Sequence, residues 1–109
     1  MAFDEDLAAR IRERLGRRKD VEEKRMFAGL AFLLGGHLAV AVRADSVLAR
    51  LGPEQTEVAL RLPHVTQFVN GGRAMTGRVV IAREGVEEDD ELADWIDRAT
   101  AFVDTRPAK

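Results

Sequence analysis

The chain has 109 residues, 46% hydrophobic and 33% charged, a balance that suits one globular domain rather than a disordered chain. It has no cysteine, which excludes disulfides, thiolate metal sites and cysteine nucleophiles and fits a reducing cytoplasm. The formal charge of −2 hides a split: residues 1–25 carry eight basic and seven acidic groups, residues 84–109 three basic and nine acidic.

In chain order, Phe3, Leu7, Ala8, Ile11 and Leu15 recur at spacings of three and four, which predicts an amphipathic helix over about 4–17. Asp4, Glu5 and Asp6 crowd its start and Arg14, Arg17, Arg18 and Lys19 its end, as the helix dipole favours. These first residues lack the apolar run of a signal peptide, so none is expected. Residues 23–43 read as strands, with Gly35-Gly36 as a tight hairpin turn of positive φ. This apolar stretch is too short and too broken by glycine to span a bilayer.

A two-residue loop pairs Leu34 with His37, Leu33 with Leu38, Phe32 with Ala39, Ala31 with Val40 and Leu30 with Ala41. One face then carries Leu30, Phe32, Leu34, His37, Ala39, Ala41 and Arg43, and the other Ala31, Leu33, Leu38, Val40 and Val42. Both are apolar. Helices cover one face of a two-layer domain, so the second needs a cover of its own: a helix, a long loop or a second subunit. Ala31, Leu33, Leu38, Val40 and Val42 are therefore the candidate interaction surface, and a homodimer is the form of partner they suggest.

Asp45-Ser46 reads as a turn and Val47 to Leu51 as a further strand. Gly52-Pro53 opens a helix that ends before Pro63. Val65 to Val69 is extended, Asn70-Gly71-Gly72 is turn chemistry in a loop that could extend to Gly77, and Arg78 to Ala82 is a strand. Leu92, Trp95, Ile96, Ala99, Phe102 and Val103 form the apolar stripe of a last helix, with a frayed tail beyond it. The expectation is a single α+β domain over 1–109, with its core at 3–103 and its tail at 104–109. It has two layers and a central antiparallel sheet of about five strands in the order α-β-β-β-β-α-β-β-α.

Candidate chemistry is sparse. His37 and His64 are the only histidines and neither has a second ligand at helical spacing, so no metal, cofactor or catalytic residue is expected. Asp45 and His64 could exchange protons only if the fold joined them. Gly71, Gly72 and Arg73 could cradle an anion, and Arg43 and His64 could complete a small-molecule pocket beside that loop. The cluster Arg10, Arg12, Arg14, Arg17, Arg18, Lys19, Lys24 and Arg25 is interleaved with acids in a chain of pI near 5.7. Direct nucleic-acid binding is therefore not expected.

Lys24-Arg25-Met26-Phe27-Ala28-Gly29-Leu30-Ala31-Phe32 resembles the N-terminal domain family of TfoX, the bacterial competence regulator. Gly72-Arg73-Ala74-Met75-Thr76-Gly77 and the strand after it are similar to that family's Gly-Arg-Pro-Met segment. The resemblance covers roughly residues 3–103, with Met26, Phe27, Gly29, Phe32, Gly72, Arg73, Met75 and Gly77 as motif positions. Ala28 stands where the family usually has a second glycine, Ala74 where proline is common, and Arg78 where an aromatic residue is frequent. The resemblance implies an α+β domain, regulation through protein partners and no enzymatic activity. These residues include no counterpart of the C-terminal domain of full-length competence regulators, so a competence role is not expected.

Overall fold

The computed structural model describes residues 3–26 and 28–107. Its elements are α1 (Glu5–Leu15), β1 (Val21–Met26), β2 (Gly29–Leu34), β3 (His37–Arg43), β4 (Ser46–Arg50), α2 (Pro53–Ala59), β5 (Val65–Asn70), β6 (Arg73–Ile81), a 3-10 turn (Arg83–Gly85) and α3 (Asp89–Val103). The α-β-β-β-β-α-β-β-α order is as expected. The sheet has six strands, all antiparallel, in the order β1-β2-β3-β4-β6-β5.

Local chemistry accounts for the helix ends. Asp4 caps α1, its carboxylate accepting from the Asp6 and Leu7 amides at 2.8 and 3.1 Å. Pro53 opens α2 behind Gly52, whose φ of 85° no other residue adopts easily. Asp89, Asp90 and Glu91 crowd the first turn of α3, where the dipole favours them. The start of the tail, expected to fray, is held on the domain. The Pro107 carbonyl accepts a hydrogen bond from His37 Nε2 at 2.6 Å, which requires the ring proton on that nitrogen.

The main core lies between the sheet and the helices. Leu7, Ile11 and Leu15 of α1, Ala59 of α2 and Leu92, Trp95, Ile96 and Val103 of α3 pack on Leu30, Phe32, Leu34, Val40, Val42, Val47, Val79 and Ile81. The Gly35-Gly36 turn has φ values of 58° and 86°, as the hairpin reading requires.

The register of that hairpin differs from the expected one. Leu34 faces His37 and Leu33 faces Leu38, but Phe32 then faces Val40, Ala31 faces Ala41 and Leu30 faces Val42. One extra residue, Ala39, is accommodated between Leu38 and Val40 as a bulge, and every later side chain changes face. Val40 and Val42 thus belong to the helix-side core and are fully buried there. Ala41 takes their place on the second face, beside Ala31, Leu33 and Leu38.

The second face is closed from within the chain. Ala31, Leu33, Leu38, Ala41 and Leu48 form a cluster with Phe68 of β5, and Met26, Met75 and Val80 pack at its margin. Three strands separate β5 from β2 in the sheet order, so the sheet must curl over itself for Phe68 to meet Ala31 and Leu33. A second irregularity, between Gln67 and Val69 against β6, supplies the bend. Gly77, with φ 86°, lies on the β6 side of it, and its carbonyl accepts from the Leu51 and Gly52 amides at 2.9 and 3.1 Å. The cover is neither a helix, a long loop nor a second subunit; the β5–β6 hairpin is the lid. Strand β6 also starts directly at Arg73, not after a loop reaching Gly77.

Candidate functional site

The two segments that carry the family wording converge on the second core. Met26, at the end of β1, and Met75, in β6, pack against the same cluster although 49 positions separate them. Gly29 permits a very close backbone approach: a Cβ placed on it would lie 1.9 Å from the Val42 carbonyl oxygen. Gly72 provides a positive φ in the β5–β6 turn and Gly77 one in the bend, while Phe32 lies in the helix-side core. Ala28, in the glycine position of the wording, adopts φ 60°, the left-handed region that explains a glycine preference there. Phe27 lies outside the described residues. Apart from Arg73, which is exposed at the start of β6, the motif residues that can be placed serve the architecture.

The anticipated small-molecule pocket does not assemble. His64 precedes β5 and Arg73 follows its far end, so roughly 20 Å of extended strand lies between them. Arg43 lies over the Phe68 ring, 5.0 Å from its centroid. Gly71 and Gly72, with φ of 62° and 79°, form an exposed two-residue hairpin turn, and a methyl group on either would have nothing within 4 Å. Two successive left-handed residues are what a type I′ turn needs, so the turn geometry alone accounts for these glycines. Asp45 and His64 share no hydrogen bond among the described residues. Nor do three or more His, Asp or Glu side chains gather into a metal-binding group among them.

The basic residues of α1 are largely occupied. Arg10 reaches Asp89 at 2.8 Å and donates to the Val86 and Glu87 carbonyls, Arg14 grips Asp97 with two hydrogen bonds, and Arg18 bridges Asp20 and Asp104. Arg12 holds Glu23 of β1 in a two-bonded fork. Hydrogen bonding to these guanidiniums lowers the pKa values of Asp20 and Glu23. Arg10 and Arg14 lie one turn apart on α1 and bind it to α3, and Arg18, four residues further on and just beyond the helix, ties the chain to Asp104 at the end of α3. That periodicity is visible in the sequence, as is the acidic stretch it meets. The pairing between them is not, because acids at a helix start are equally explained by the helix dipole.

The two sheet edges contrast. Four of the six residues of β1 are charged, the usual protection of an edge against stray pairing. Edge strand β5, Val65–Asn70, has no charged residue, and its Val69 side is open to solvent at 54% exposure. No helix among the described residues is long and apolar enough to cross a membrane.

No curated protein matches the sequence. Among solved structures, the fold is similar to the crystal structure of Deinococcus radiodurans protein DR2400, which carries a DUF419 domain. The TM-score is 0.66 over 88% of this chain and 77% of that one, and at 12% identity the likeness is one of fold alone. The family description that matches by sequence is the TfoX N-terminal domain, over residues 13–103, a span that takes in both motif segments and all six strands. With that match over most of its length, and with both segments of family wording meeting in one core, the chain belongs to the TfoX N-terminal domain family.

Proposed function

We propose that this is a non-catalytic interaction domain of the cytoplasm that works by protein contact, affects transcription only indirectly, and self-associates edge to edge through β5. The observation that carries this reading is the uncharged, open edge of β5 opposite a heavily charged β1. An antiparallel pair of β5 strands brings no like charges together, and a two-fold axis makes such a contact self-complementary. The irregularity at Phe68 keeps the regular pairing short, which suits a reversible contact. The second face of β2 and β3 does not serve this role, since Phe68 already occupies it.

Light scattering at micromolar concentration tests the reading. The expected mass is twice the 12.1 kDa of the chain, falling to one chain in Val69→Lys. Because Val69 is exposed, that variant should keep its stability within about 0.5 kcal/mol. A wild-type protein that stays at 12.1 kDa would contradict self-association.

A further inference from the structure

Three arginines, Arg50, Arg78 and Arg106, converge without a carboxylate among the described residues. Arg50 and Arg78 are direct partners across the β4–β6 ladder, a placement in which like charges repel. Arg106 joins them from the C-terminal tail. Its guanidinium lies 5.8 Å from the Phe102 ring centroid, and that of Arg50 lies 5.4 Å from the same centroid. Phe102 is itself fixed, since its ring packs so closely under Gly52 that a Cβ there would come within 2.5 Å of it. The ring thus holds two cations in place with no carboxylate among the described residues to draw them.

Elsewhere Arg10, Arg12, Arg14, Arg18 and Arg98 each have an acidic partner. None of the three does among the described residues, and Arg78 Nε is buried with no hydrogen-bond partner. Leaving a buried charged donor unpaired is costly. Burial, and then the positive charges of Arg78 and Arg106, lower the pKa of Arg50.

We propose that Arg50, Arg78 and Arg106 form a binding site for a small phosphate-class oxyanion. Three guanidinium forks offer more donors than one carboxylate can accept, whereas a tetrahedral dianion has oxygens for all of them. Such an ion would supply the missing acceptor to Arg78 Nε and cancel the repulsion across the ladder. A nucleic-acid backbone fits less well: the three arginines make one point of contact rather than a track, and the chain as a whole is acidic.

The test is thermal unfolding with inorganic phosphate and pyrophosphate from micromolar to 10 mM (about that ceiling, to limit general salt effects), with chloride holding ionic strength constant. The midpoint should rise by on the order of 5 °C for each tenfold increase in ligand beyond saturation. Arg78→Met should lose this response yet unfold no earlier than wild type without ligand, because it removes a buried donor that has no acceptor. Arg106→Ala, in the tail, should also weaken the response and offers a readout if Arg78→Met does not fold. Arg73→Ala, at the hairpin tip, should respond like wild type. No ligand-dependent rise in wild type overturns the proposal. So does an undiminished rise in Arg106→Ala, loss of the rise in Arg73→Ala, or a salt-sensitive grip on duplex DNA that outcompetes phosphate.

Discussion

Gly29→Ala is expected to destabilise the domain by about 3 kcal/mol or more, the upper range for overpacking, and to leave much of the protein unfolded. The new methyl would meet the Val42 carbonyl oxygen at 1.9 Å and its carbon at 2.9 Å, which no rotamer change relieves because both atoms are backbone. Relief would require β2 and β3 to part beside Leu30, Val42 and Phe32, which contribute to the main core. Gly72→Ala is the useful contrast. Nothing stands within 4 Å of its methyl position, so only the positive φ resists, at a cost of about 1–2 kcal/mol. Urea denaturation of both variants measures the difference. A Gly29→Ala protein as stable as Gly72→Ala would mean that the strands do not approach this closely.

Phe68→Ala carries the second large effect. Phe68 is 1% exposed although it lies on an edge strand, and it is the one aromatic side chain among the described residues of the second core. Removing it should cost about 3–5 kcal/mol, as for other buried aromatics. It should also uncover Leu33, Leu38 and Leu48, so the variant is expected to bind a hydrophobic dye under conditions where wild type does not. Substituting Val69, the next residue, should do neither. A cost for Phe68→Ala of less than about 1 kcal/mol would show that the β5–β6 hairpin does not close the face.

Much of this architecture is legible in the residues. The amphipathic periods of α1 and α3, the Gly35-Gly36 turn and the Gly52-Pro53 helix start each have a local cause, and local causes are visible in a single chain. The apolarity of both faces of β2 and β3 is legible too, and with it the need for a cover. The register beyond Leu38 is not, because Ala39 carries no mark that distinguishes a bulged residue from a paired one. That single insertion moves Val40 and Val42 into the helix-side core.

The nature of the cover depends on sheet curvature, a property of the assembled strands. One hint is present: Phe68 is the single large aromatic in an otherwise polar and β-branched strand, with Gly71, Gly72 and Gly77 following to permit a turn and a bend. The arginine cluster is hidden for a similar reason. Arg50, Arg78 and Arg106 are far apart in the chain, and only the β4–β6 register and the path of the tail past Phe102 bring them together.

The chain closes its own second apolar face. The most direct measurement is a set of nuclear Overhauser contacts from the Phe68 ring to the methyl groups of Ala31, Leu33, Ala41 and Leu48, recorded on uniformly labelled protein and on a mixture of labelled and unlabelled chains. Contacts are expected within one chain and none between chains. Contacts seen only between chains, or a Phe68 ring with no methyl neighbours from this set, would contradict it.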